Sequence, residues 1–268
     1  MKLAIAGKGG VGKTTLAALL ARAYAAEGRK VLALDADPDA NLAVAVGLPR
    51  DRLGEVRPVT SLKELAIERT GHGGGYGGFF KLNPTVDDLP ETLSASHAGV
   101  KILALGSIEH GGAGCVCPEH ALLRALMTHI LVRRDDVVIM DMEAGVEHLG
   151  RGTADSVDLL IIVVEPGRRS LDTAAQIERL AADLGIRRIA YVGSKVADAA
   201  ERAFLEDALP ADRLLGFLGA SDALRDADRR GLSPFDLGGA VVDEALAIKR
   251  RLEHQVSGAA GKAVDRCA

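Results

Sequence analysis

The sequence predicts an α/β fold, a wound and mostly parallel sheet flanked by helices, on three observations. Short apolar runs recur at Leu3–Ala6, Val31–Leu34, Val100–Leu105, Val137–Met140, Leu159–Val164 and Ile189–Val192, and most end at Gly, Asp or Pro, the mark of strands buried on both faces. Helical patterns lie between them at Thr15–Glu27, Ala121–Arg133, Leu171–Leu184 and Ala200–Leu209, and strand-helix alternation of this kind implies right-handed crossovers. A glycine-rich loop follows the first run directly. A chain of 268 residues is long enough to bury a substantial core as one domain, assigned to residues 1–255.

From the start, MKLAIAGKGG runs from an apolar stretch straight into the loop and lacks the length and cleavage site of a signal peptide, so it reads as a buried strand. The stretch from Thr70 to Ser96, with Gly71–Gly78, Asn83-Pro84 and Leu89-Pro90, breaks the alternation and predicts a mobile surface excursion. A helix is expected over Val241–Gln255; beyond it residues 256–268 lose apolar periodicity and read as a flexible tail that leaves Cys267 without a role.

Composition excludes several function classes. The 33 Lys and Arg against 37 Asp and Glu give a formal charge of −4, no footprint for gripping nucleic acid or an anionic membrane. No apolar run approaches the roughly 20 residues a membrane-spanning helix needs. Three cysteines, Cys115, Cys117 and Cys267, are too few and too unevenly placed for a disulfide framework, which points to a reducing, cytoplasmic setting.

Gly7-Lys8-Gly9-Gly10-Val11-Gly12-Lys13-Thr14-Thr15 matches G-x-x-x-x-G-K-T in the required strand-loop-helix context. Its glycines let backbone N–H groups turn inward onto phosphate oxygens, and the helix N-terminus adds positive potential. Nucleotide is thus expected on Gly9, Gly10, Val11, Gly12, Lys13, Thr14 and Thr15, with Lys13 bridging the β and γ phosphates and the Thr14 hydroxyl on Mg²⁺. The fold class becomes a P-loop NTPase.

Lys8, a second lysine early in the loop, marks a resemblance to the deviant Walker A group of ParA and MinD partition ATPases and the nitrogenase iron protein. The resemblance implies a nucleotide-sandwich homodimer in which Lys8 reaches the partner's phosphates, supplying in trans the charge an arginine finger supplies elsewhere. Asp35-Ala36-Asp37-Pro38-Asp39 resembles the group's first switch, which implies that Asp37 orients the attacking water and Asp35 stands near Mg²⁺. Asp141 resembles the second metal-side acid, and Gly145 ends a D-x-x-x-G turn able to sense the γ-phosphate.

Cys115-Val116-Cys117-Pro118 follows four small residues and precedes a helical run, presenting two thiols on a loop. A closed Zn²⁺ site wants four ligands, and a two-fold dimer would supply them by bringing two such loops face to face. Tetrahedral Zn²⁺ and square-planar Ni²⁺ both suit four thiolates. His110 and His120 flank the pair as possible further ligands. With this pair, the segment Asp141–Leu149 containing Glu143 and His148, then Arg151-Gly152-Thr153, Glu165-Pro166 and Ser194-Lys195-Val196, the chain resembles the CooC family from Met1 to about Val196. The resemblance implies an ATP-dependent metallochaperone that assists nickel insertion into its partner, carbon monoxide dehydrogenase or a related nickel enzyme. It also places the base near Ser194 and Lys195, where the family commonly has Asn before the lysine; a serine hydroxyl has no paired amide donor and acceptor to read a base. The loop Gly219-Ala220-Ser221 likewise lacks the usual proline.

Two other classes compete. A positioning ATPase acting on DNA or membrane is opposed by the acidic balance and by a last helix without a large aromatic face. An iron-sulfur-linked ATPase would draw on the same four thiolates, yet Gly145–Arg151 has no cysteine where the nitrogenase iron protein carries a ligand.

Overall fold

A computed structural model of the chain describes residues 1–37, 40–71, 81–106, 118–133, 136–143, 145–146, 149 and 151–264. In chain order the elements are Lys2–Gly7 (β1), Lys13–Ala26 (α1), Val31–Asp35 (β2), Leu42–Val46 (α2), Lys63–Thr70 (α3), Leu89–Thr92 (α4), Ala95–His97 (β3) and Val100–Ala104 (β4). Pro118–Thr128 (α5), Val137–Asp141 (β5), Arg151–Ala154 (α6), Leu159–Val164 (β6), Arg168–Asp183 (α7) and Ile189–Val196 (β7) follow. Ala199–Ala208 (α8), Leu214–Gly219 (β8), Asp222–Arg230 (α9), Pro234–Leu237 (α10) and Ala240–Val264 (α11) complete the chain.

Among the described residues eight strands form one sheet in the order β3-β4-β2-β5-β1-β6-β7-β8, parallel except for β3. All six expected strands are present, and each lies wholly buried or nearly so, as continuous apolar runs require. Alternation splits every strand but β3 between two cores. Leu3 and Ile5 join Leu16, Leu19, Leu20, Leu42, Ile248 and Leu252 on the face covered by α1, α2 and α11. Ala4 and Ala6 face Leu122, Leu126, Ile177 and Leu205 of α5, α7 and α8 on the other.

Two strands escaped the sequence reading. β8 carries Gly216 and Gly219, which break its apolar run, and it pairs with β7 through register shifts. β3 has only three residues and joins β4 through Ala98 and Gly99, both with positive φ (46° and 79°), the geometry of a tight two-residue hairpin turn.

The expected surface excursion is packed over its second half. Val86 and Leu89 are buried in the core, and Arg69 grips Asp88 through two hydrogen bonds of 2.8 and 2.7 Å that tie α3 to α4. Residues 72–80 lie outside the described residues. The helix read as Ala121–Arg133 starts at Pro118, a residue well suited to a first helical turn, and its last turn, His129–Arg133, widens to a π-helical one. α11 passes Gln255 and stays helical to Val264, with Val256 against the core; Cys267 lies outside the described residues.

Candidate functional site

The site forms at the carboxyl edge of the sheet, where open α/β folds place their chemistry. Strand order decides its composition. β2, β5 and β1 are neighbours, with Asp35 directly beside Asp141 in the parallel register and Ile5 of β1 beside Asp141 in turn. Two residues beyond Ile5 the chain enters the phosphate loop.

Gly7 leaves β1 with φ 152°, and a Cβ there would meet the Val163 carbonyl oxygen at 2.5 Å, so glycine alone allows the exit beside β6. Gly10 and Gly12 have φ 77° and 99°, and Gly12 caps α1 without a side-chain bond, leaving that helix's first N–H groups turned into the loop. Val11 is buried and anchors the loop to the core, while Gly9 and Gly10 are exposed. Lys13 is 6% exposed, its Nζ donating to the Lys8 carbonyl at 3.4 Å across the loop. Thr14 and Thr15 are half-buried on the first turn of α1.

The acids are held differently. Asp35 accepts from the Leu42 N–H at 2.9 Å and the Asp37 N–H at 3.2 Å, which fixes the loop that carries Asp37; Pro38 and Asp39 lie outside the described residues. Burial pushes the Asp35 carboxyl up to about 6 in spite of these bonds. Asp141 is 1% exposed, and among the described residues neither of its oxygens has a partner at hydrogen-bond geometry. Burial raises its carboxyl to about 7; the adjacent Thr14 hydroxyl and Lys13 ammonium oppose the rise, while Asp35 and Asp37 add to it. Lys13, Thr14, Asp35, Asp37 and Asp141 are thus within electrostatic reach of one another, as the motifs required. Two adjacent buried carboxylates, one of them unsatisfied, beside a threonine hydroxyl form a hard oxygen donor set suited to Mg²⁺.

That arrangement costs stability. A carboxyl raised above its unfolded value binds more protons in the folded state, so stability falls as pH rises from about 4 to about 7. Asp141→Asn removes the buried charge at constant shape and is expected to raise unfolding free energy at pH 8 by about 2–4 kcal/mol in EDTA, flattening the loss between pH 4 and 7. Urea unfolding measures it. A variant no more stable than the parent at pH 8 would mean that Lys13 and Thr14 already compensate the charge.

On the other side of β1 lie β6 and β7. Ser194 is 4% exposed and packs behind the loop, its Oγ 3.0 Å from where a Cβ on Gly12 would stand. Lys195, at φ 59°, donates to the Gly10 carbonyl at 2.5 Å and so braces the loop from β7. An open cavity of about 410 Å³ lies beside the end of β8, lined by Gly219 and Ser221 together with Leu224 of α9, Leu237 of α10 and Val241 of α11. Glu165, which the sequence offered only as part of a resemblance, pairs with Lys8 at 2.9 Å. Its signal in the sequence was its place at the end of a strand next to β1, legible only once strand order is known.

Cys115, Cys117, His110, His148 and Glu147 lie outside the described residues; His120 lies on the first turn of α5 and is half-buried, and Gly145 is buried after Asp141. Among the described residues no group of three or more His, Cys, Asp or Glu is placed to hold a metal ion, and no helix is long and apolar enough to cross a membrane.

Comparison with known proteins accords with this geometry. The family model of the CobQ/CobB/MinD/ParA nucleotide binding domain matches residues 2–235. The carbon monoxide dehydrogenase accessory protein CooC of Rhodospirillum rubrum is 51% identical over 256 residues, covering 96% of this chain and 97% of that one. The chain belongs to the CooC family within the CobQ/CobB/MinD/ParA nucleotide-binding proteins. An uncharacterized ATP-binding protein of Methanocaldococcus jannaschii is 44% identical, covering 82% of this chain and 84% of its own. Among solved structures, a chain of the MinC:MinD cell division protein complex of Aquifex aeolicus aligns at TM-score 0.66 and 21% identity over 94% of both chains. A plasmid partition protein of Borrelia burgdorferi bound to AMPPNP aligns at 0.67 and 19% identity, covering 94% of this chain and 98% of that one. These two likenesses show the same P-loop fold.

Proposed function

We propose that this chain is an ATP-hydrolysing metallochaperone that works as a nucleotide-dependent homodimer and assists nickel insertion into carbon monoxide dehydrogenase or a related nickel enzyme. One observation carries the ATPase reading: the loop that presents Lys13 and Thr14 sits against a buried, charge-excess pair, Asp35 and Asp141, with Asp37 beside them. The 51% identity to an accessory protein of carbon monoxide dehydrogenase supports the client.

In this reading Lys13, on the first turn of α1, offsets charge on the β and γ phosphates, and Asp37, in the loop after β2 that Asp35 fixes, orients the attacking water. Asp35, Asp141 and Thr14 hold Mg²⁺, which when bound supplies positive charge against the phosphate oxygens. Ser194 and Lys195 support the loop from β7, and the cavity beside Gly219–Ser221 stands on the side where the base would lie. Lys8 acts on the nucleotide of the second chain. Cys115 and Cys117 take Ni²⁺ or Zn²⁺ as cargo, with four thiolates shared between two chains. Partition-type function has support only at the level of fold, at 21% identity or less for the two structures described.

Lys8→Ala is the test. It should retain ADP binding, lose dimerisation with a non-hydrolysable ATP analogue, hydrolyse ATP at least about 100-fold more slowly, as loss of a charge supplied in trans costs, and fail to support nickel-dependent activation of metal-free carbon monoxide dehydrogenase. A variant that dimerises with ATP and turns it over normally removes the trans role, and wild-type protein without effect on activation removes the client.

A further inference from the structure

Glu165 closes β6, between the strand that feeds the phosphate loop and the strand that carries Lys195. Its backbone N–H donates to the Ser170 hydroxyl at 3.1 Å, and Ser170 is 2% exposed, so the turn into α7 is fixed. The side chain then projects toward two cations. Oε1 accepts from Lys8 Nζ at 2.9 Å, and Oε2 stands 4.0 Å from Lys195 Nζ. Both ends of the pair remain partly open to solvent, at 39% for Lys8 and 28% for Glu165.

We infer that Glu165 is a positioning residue for Lys8, holding the lysine within its own subunit until the phosphates of a second chain's nucleotide replace the carboxylate as its partner. The inference rests on the trans role of Lys8 proposed above. Three features support an exchangeable contact. An ion pair this exposed is weak, so it orders a flexible lysine without trapping it. Nucleotide phosphates carry more negative charge than one carboxylate and outcompete it for the same ammonium. When Lys8 leaves, Lys195 remains beside Glu165, so the carboxylate is not left without a counter-charge.

The test measures dimerisation with a non-hydrolysable ATP analogue and Mg²⁺ by sedimentation velocity, with ADP affinity followed in parallel. Glu165→Gln keeps the shape and removes the charge. Each dimer releases two pairs, each worth up to about fivefold, so the dimer dissociation constant should fall by about 2-fold to 30-fold. Raising salt from about 0.1 M to about 1 M shortens the screening length from about 10 Å to about 3 Å and should shrink this difference, which a merely structural role would not do. Glu165→Asp keeps the charge but loses reach, and should tighten the dimer by less; it carries the test if Glu165→Gln fails to fold. Unchanged or weaker dimerisation in the folded variants overturns the inference, as does weaker ADP binding with weaker dimerisation, since Glu165 would then serve the loop itself. Lys8→Ala separates the two levels: loss of its dimer together with wild-type dimerisation of both Glu165 variants leaves the trans role standing and removes Glu165 from it. Normal dimerisation of Lys8→Ala removes both.

Discussion

Lys13→Ala is expected to lower ATP turnover by at least about 100-fold to 1,000-fold, the usual effect of removing one preorganised charge partner from a water-excluded site. Lys13 is 6% exposed, and its ammonium donates to the Lys8 carbonyl and acts on the Asp141 carboxyl. Without it the phosphate charge faces two carboxylates in a poorly screened setting, where Coulomb terms are several times larger than in water. The same substitution removes a cation that restrains the Asp141 carboxyl, so the variant should also lose stability above pH 7. Phosphate release by a coupled assay, with circular dichroism to confirm folding, measures the first effect. Turnover within about threefold of wild type, far short of that loss, would take Lys13 out of the site.

The second large effect concerns cargo. Cys115→Ser or Cys117→Ser is expected to abolish tight binding of Ni²⁺ or Zn²⁺, with metal content falling from one ion per two chains to none. The fold should survive, because both core clusters are built largely from the residues of the sheet and of the helices that cover it. Anaerobic purification and elemental analysis check the stoichiometry; one tightly bound ion per chain in the wild type would refute the shared site. The nucleotide dependence is the sharper measurement. If one dimer carries both sites, ATP that changes metal affinity must have its own affinity changed by metal by the same factor. A competition titration with a chromophoric chelator, run without nucleotide, with ADP and with a non-hydrolysable ATP analogue, should show dissociation constants about 5-fold to 150-fold apart. Three superimposable curves would leave an ATPase and a metal site with no coupling between them, and the delivery reading would lose its mechanism.

Local signals carried well from sequence to structure. The six continuous apolar runs are strands because burial on both faces leaves no other pattern for them, and Gly7, Gly10 and Gly12 hold backbone angles that their place between strand and helix demanded. Signals that depend on partners did not carry. β3 owes its existence to the edge offered by β4, and β8 tolerates its glycines because it lies at the far edge beside β7. Val86 and Leu89 looked like part of a glycine-rich excursion and are core residues, since two isolated apolar residues outside any strand give no period to read.

The sequence by itself determined the strand-loop-helix phosphate site and the nucleotide-binding family, because each rests on residues within a few positions of one another. Tertiary structure decided which of the scattered acids and lysines meet. Asp35 and Asp141 are 106 positions apart and become neighbours only through the pairing of β2 with β5, and the same order sets Glu165 between Lys8 and Lys195. It also decided their charges, since the largest cause that lifts these carboxyls to about 6 and about 7 is the desolvation that folding imposes around them.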